Sequence, residues 1–177
     1  MNQNSLPQPL ETVFSESKSE DIFRNLLPVM CQLLQVDRCF LHLRDPETRL
    51  HQNFCWRQNP DLPDTSIEGW EPEQEWEKED PMFAAALRAE DSIFVEDIET
   101  ASPSVLNREF ERTNLGHRAL VHAHLRQEGL LWGILQPAVF GKPRVWSDAD
   151  RLVIHQVVEK LTPIVIHYVK TAIPSES

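Results

Sequence analysis

Two apolar stretches, residues 119–126 and 130–139, are separated only by Gln127-Glu128-Gly129. Three residues including a glycine suit a hairpin turn and are far too few for a crossover, so these strands must pair antiparallel. A sheet with an antiparallel pair is therefore the frame around which the remaining elements have to be placed.

Helical spacing supplies the covering layers. Ser19 has the character of an N-cap, and Glu20 and Asp21 in the next turn suit the helix dipole. Ile22, Phe23, Leu26, Leu27, Met30, Leu33 and Leu34 recur at helical intervals, which predicts an amphipathic helix over 20–35. Pro28 lies inside it and should bend it. Residues 39–44 and 50–57 read as a hairpin around Asp45-Pro46-Glu47. A short helix is expected from Pro81 to 89, a strand over 92–98 and a second short helix over 103–114. Ser147 with Asp150 forms a capping-box pattern that opens a last helix reaching about 171, with Pro163 inside it. The class this order predicts is α+β, sandwich-like, with one sheet and helices on at least one face.

The chain has 177 residues, which suits one domain. Residues 1–18 are rich in Ser, Gln, Asn, Pro and Glu and read as a flexible lead-in. The domain is expected over 19–171, with a tail over 172–177. The net charge of −11 is uneven: residues 58–80 hold nine acids and one base, Lys78, leaving about −3 for the rest. Without a basic face, nucleic-acid binding is not expected. No apolar run has the roughly 18 residues of a membrane span. Residues 1–9 lack the basic start and apolar centre of a signal peptide, so a cytoplasmic location is expected. Cys31, Cys39 and Cys55 are odd in number and lie in apolar segments, which suggests buried thiols rather than disulfides.

Several pieces resemble the GAF domains of cyanobacterial phytochrome-like photoreceptors. They are Val36-Asp37-Arg38-Cys39, Val95-Glu96-Asp97-Ile98, Ala119-Leu120-Val121, the run from Glu128 to Leu135, and Gly141 to Trp146. Their order and spacing carry the resemblance over about 19–170. It implies a GAF fold: a central antiparallel sheet, the first and last helices on one face, and a pocket on the other lidded by loops. In those photoreceptors a Cys-His pair anchors the bilin and a later His contacts it. Ungapped matching puts Asn107 and Arg108 at the pair and Ala138 at the later His. A thioether link at that place is excluded, because only a thiolate forms it. One stand-alone family member, free-methionine sulfoxide reductase, uses Cys residues in the pocket-closing segments, and 58–114 has none.

The expectation is a non-catalytic sensory or regulatory domain, without an assigned cofactor, that binds a small ligand or a protein partner and signals through protein contacts. The alternative is a degenerate scaffold or assembly factor that holds no ligand; a redox or iron–sulfur sensor would require the cysteines to converge. Candidate pocket residues are Trp70, Trp76, Phe83, Asp97, His122, His124 and Trp132. His122 and His124 share a strand face, but no further ligand type completes a metal set, so no metal is assigned. Segment 61–80 could dock a basic protein partner through its charge, with Trp70 and Trp76 as anchors. Ile154, Val157, Leu161, Ile164 and Tyr168 form a seam on the last helix that suits a homodimer through the terminal helices.

Overall fold

Alternation along the strands divides the molecule into two halves. In β1 (Arg38–Arg44), Cys39, Leu41 and Leu43 join the larger apolar core, while Phe40 and His42 face a cavity. In β5 (Ala119–Gln127), Val121, Ala123 and Leu125 take the core side, leaving Leu120 and His122 opposite. A computed structural model describes residues 5–173. It joins these strands with β2 (Leu50–Arg57), β3 (Ile67–Pro72), β4 (Ile93–Val95) and β6 (Leu130–Val139). The sheet order is β3-β2-β1-β6-β5-β4, and every neighbouring pair is antiparallel. The α+β class and the antiparallel sheet expected from the hairpin are what the chain adopts.

One face is covered by α1 (Gln8–Phe14), α2 (Ser19–Leu34) and α5 (Asp148–Ala172). Ser147 Oγ accepts from the Asp150 amide and Asp150 accepts from the Ser147 amide, so the capping box closes as its sequence pattern requires. At the start of α2, Lys18 takes the cap position and Ser19 is the first helical residue. Both long helices continue through their prolines. Over the other face lie α3 (Pro81–Leu87), α4 (Arg108–Asn114), a 3-10 turn at Trp76–Lys78 and the loop through residues 61–66.

Two elements differ from expectation. Within the segment expected to be flexible, residues 8–14 are helical, because Leu10 and Val13 lie one turn apart and both bury in the core. Residues 1–4 and 174–177 lie outside the described residues. Within 58–80, where the spacing predicts no helix or strand because Pro60, Pro63, Gly69 and Pro72 interrupt it, Ile67–Pro72 adds an edge strand to β2. Pro72 stands at its end, where a missing donor interrupts nothing further along the ladder.

The seam on α5 is not a free surface. Ile154, Val157, Leu161 and Tyr168 are buried inside their own chain, and Ile164 packs against the same core. The second apolar stripe, with Val165, Ile166 and Val169, is buried too. Helix α5 meets β5, β6, β1 and α2, so both stripes are occupied within one molecule. The residues expected to form a homodimer seam are thus engaged largely in the core of their own chain. At Gly133 a Cβ would stand 2.6 Å from the His42 carbonyl oxygen, so only glycine lets β1 and β6 approach there.

Candidate functional site

A cavity of about 410 Å³ lies between the second sheet face and its loops. Phe40, His42, Asn53, His122, Ile134 and Gln136 form its floor, brought together because they alternate onto one side of β1, β2, β5 and β6. Residues 64–67 form one wall. Trp76, Asp80 and Phe83 form another, and Phe110, Glu111, Asn114 and Leu115 close the third. Trp76 and Phe83 meet edge to face at 5.4 Å between ring centroids.

The acidic segment is fastened to the sheet from inside. The Glu73 side chain is fully buried and accepts from His42 Nε2 at 2.8 Å, from Arg44 Nε at 3.0 Å and from Arg49 Nε at 3.0 Å. Burial pushes the Glu73 pKa up, but the bonds from His42 and Arg44 outweigh it and bring it to about 2. Arg49 also holds Glu77, and Arg44 Nη1 donates to the Leu131 carbonyl at 2.8 Å. The other nitrogen of His42, Nδ1, lies 2.8 Å from Asn53 Oδ1. Asn53 Nδ2 donates to the Thr65 carbonyl, which fixes the amide orientation. Both ring nitrogens of His42 thus face acceptors.

A second polar chain runs along the α4 wall. Asp80 caps α3, its Oδ1 accepting from the amides of Met82 and Asn107. Burial and the adjacent Glu111 push Asp80 up to about 7. Burial also pushes Glu111 up to about 7, opposed by the neighbouring Asp80 and by Arg38. Two neighbouring buried carboxyls cannot both ionise readily, and Glu111 Oε1 is left without a hydrogen-bond partner. Behind them His117 Nε2 lies 2.5 Å from Glu111 Oε2, and His117 Nδ1 lies 3.4 Å from Arg38 Nη2. Burial, helped by Arg38, lowers His117 to about 3, so the ring is neutral and passes one hydrogen bond from Arg38 to Glu111.

The histidine pair on β5 has a fixed direction. His124 Nδ1 faces the Glu90 carbonyl at 2.8 Å and must carry the hydrogen. Its Nε2 then accepts from His122 Nδ1 at 2.7 Å. Burial, with His124 adding to it, drives His122 well below the usual range, so it is neutral and its Nε2 is an acceptor at the cavity wall. Gln136 Oε1 and Thr65 Oγ1 are buried at the same wall and have no hydrogen-bond partner.

Of the residues singled out from the sequence, Trp76, Phe83 and His122 line the cavity, and His124 stands directly behind His122. The other three do not. Trp70 packs 6.0 Å from the Tyr168 ring on the helical side, because β3 turns it outward from the cavity. Asp97 forms a bidentate pair with Arg118 beyond the end of β4. Trp132 lies in the helical core with the Lys170 ammonium over its ring. Neither tryptophan of the acidic segment is a free anchor, since both pack on their own chain. Sequence reading missed His42, Glu73, Gln136 and the Asp80–Glu111 pair. A signal existed for His42: Arg38, His42 and Arg44 recur at even spacing in an otherwise apolar strand.

The photoreceptor attachment positions have local roles here. Asn107 caps α4 by accepting from the Phe110 amide, Arg108 donates to the Ile98 carbonyl, and Ala138 packs with Leu120. Cys31, Cys39 and Cys55 are free. Burial pushes the Cys31 thiol up to about 12 and Cys39 well above the usual value, which makes them unreactive. Among the described residues, no group of three His, Cys, Asp or Glu side chains is placed to hold a metal ion. No helix among them is long and apolar enough to cross a membrane.

The family model for the GAF domain matches residues 19–162. Three solved structures share the fold. The GAF domain of an Acinetobacter phosphoenolpyruvate-protein phosphotransferase has a TM-score of 0.68 at 11% identity, covering 93% of this chain and 92% of that one. The phycocyanobilin-bound GAF domain of a cyanobacterial phytochrome has 0.67 at 18%, covering 94% and 99%. The cyanobacteriochrome TePixJ GAF domain has 0.64 at 16%, covering 88% and 93%. No curated protein matches the chain.

Proposed function

The chain belongs to the GAF domain family, a family of sensory and ligand-binding domains, and from that premise we propose that it is a non-catalytic sensor whose ligand sits in the cavity above β1, β5 and β6. The observation that carries this reading is the cavity itself. It has the volume of a small-molecule site, aromatic walls, and buried polar atoms with no protein partner. A stable fold without a ligand to hold gains nothing from leaving Gln136 Oε1 unpaired at 6% residue exposure. The lid is fastened to the floor through Glu73, so occupancy below Trp76 would be felt by the whole segment to Glu77. Signalling then passes to a separate protein through this segment. Its exposed acids without an ion-pair partner among the described residues, Asp61, Glu68 and Glu79, are the charges left for a basic partner. Self-association falls to the outer faces of α2 and α5, where Leu33 and Leu152 are exposed.

The test compares the wild type with Ile134→Phe, which fills the floor of the cavity. Both proteins are purified from the same cells, denatured, and their small-molecule extracts compared by mass spectrometry. A compound stoichiometric with the wild type and absent from the variant supports the reading. Identical extracts from two folded proteins overturn it.

A further inference from the structure

The polar groups at the cavity wall are one-sided. His122 Nε2, Gln136 Oε1 and Glu111 Oε1 are acceptors without donors, Asp80 and Glu111 are acidic, and an unpartnered hydroxyl, Thr65 Oγ1, can accept as well as donate. Among the described residues, no Lys or Arg lines the cavity. Nearby cations are already engaged: Arg44 and Arg49 on Glu73, and Arg57 beside Asp64. Arg38 lies behind the acid pair, bonded to the carbonyls of Pro63 and Leu115 and to His117. A ligand bearing carboxylates or phosphates would find no free cation there, and burying its charge unpaired would be costly. Phe40, Trp76, Phe83 and Phe110 supply aromatic surface around the same space, which favours a flat, cationic guest.

Resting on the reading that the cavity holds a small ligand, we propose that its ligand class is a planar organic cation, a ring bearing a protonated nitrogen group of the amidinium type. Its N–H groups pair with Asp80 and Glu111 at one end and with His122 Nε2 or Gln136 Oε1 along the floor. Charge balance dictates the exchange. With one proton held on either acid the two carboxyls carry −1, which Arg38 offsets. When the ligand's cation arrives, that proton leaves to solvent, both carboxylates ionise, and the site keeps the same net charge. The groups facing the pair are His117 and Arg38 from behind and Asn107 through its amide; His117 is neutral throughout and does not supply the proton.

The probe set is 2-naphthamidine, 2-naphthamide and 2-naphthoate, three isosteres that are cationic, neutral and anionic. Titration calorimetry is run in two buffers of different ionisation heat at several pH values. The amidine should bind tightest, release about one proton below neutrality, and gain about thirtyfold in affinity between about pH 5.5 and pH 8.5. Glu111→Gln, which keeps the side-chain shape, should remove both the proton release and the pH dependence. Circular dichroism establishes that the variant is folded, and the wild-type two-buffer measurement stands without it. Naphthoate binding as tightly as the amidine overturns the cation assignment while leaving the ligand reading intact. Amidine binding with no proton release overturns the exchange at Asp80 and Glu111. If none of the three binds the folded wild type, the cation assignment falls, while the ligand reading is decided separately by the extraction comparison.

Discussion

The two faces of the sheet are built by opposite means. The helical face is a continuous apolar core in which Leu26, Leu41, Val121, Leu135, Val157 and Leu161 lose all or nearly all contact with solvent. Its stability comes from area removed from water, and no side chain there depends on a single partner. The cavity face has two small apolar clusters and, between them, fully engaged ion groups beside polar atoms that have no partner at all. The first face holds the fold together. The second holds a shape open, and the Arg44–Glu73–Arg49 cluster is what keeps the lid over it.

Removing one member of that cluster should have the largest effect on the molecule. Arg44→Ala leaves Glu73 buried with two partners instead of three, and frees the Leu131 carbonyl as well. Breaking a buried ion network from one side costs about 3–5 kcal/mol. Denaturant unfolding should show that loss. A value under about 1 kcal/mol would mean the cluster is solvated like a surface pair. On the other face, Leu161→Ala should cost about 2–4 kcal/mol through transfer and cavity terms. It should leave binding at the cavity unchanged once the protein is folded. If Leu161→Ala weakens binding as much as Arg44→Ala, the two faces are not separable.

The helical face was the more legible in sequence, for a physical reason. Its residues announce themselves by period: Ile22 to Leu34 on α2, Ile154 to Tyr168 on α5, and alternate positions on β5 and β6. What period cannot tell is where a second apolar stripe goes, and so the α5 seam was read as a surface between molecules when it lies inside one. The cavity face was legible only in part. His122 stood out because two histidines alternate in an apolar strand, whereas Glu73 was one acid among nine in its segment and its burial depends on three bases distant in sequence. Glu111 and Asp80 are about thirty residues apart, and only the bonds from Asn107 at the start of α4 to Asp80 and to the Glu79 carbonyl make them neighbours. Trp70 and Trp132 are large aromatics near the right elements, yet both end on the helical side, Trp132 because the β5–β6 register shifts between Leu125 and Arg126.

The acid pair gives the comparison a pH axis. In the unfolded chain Asp80 and Glu111 hold no proton at neutral pH, while the folded pair takes one up near 7. A raised carboxyl favours the folded state at low pH and loses that contribution as pH rises through about 7. The buried histidines act in the opposite sense: His51 and His117, lowered to about 4 and about 3, and His122 oppose folding as pH falls below the unfolded histidine range. Glu111→Gln removes the first contribution and keeps the second. Relative to the wild type it should gain about 1–2 kcal/mol at about pH 8.5 and lose that advantage at about pH 5.5. Unfolding curves at both pH values measure the difference. Parallel profiles would show that no proton is held there.

Gln136 offers the smallest effect and the most discriminating sign. Its amide sits in an apolar strand between Leu135 and Pro137, with Oε1 buried and unpaired. On the helical face every truncation should destabilise. Here Gln136→Leu replaces an unpaired polar group with an apolar one of similar size, so the folded protein should be unchanged or gain about 1 kcal/mol. The same change takes an acceptor from the cavity floor and should weaken binding of a donor ligand about fivefold or more. A thermal melt and a titration on one variant decide the matter. Higher stability with weaker binding means that Gln136 is kept for the ligand at a cost to the fold. Lower stability with unchanged binding would make it a structural residue whose partner is an ordered water, and the cavity face would then resemble the helical face more than its chemistry suggests.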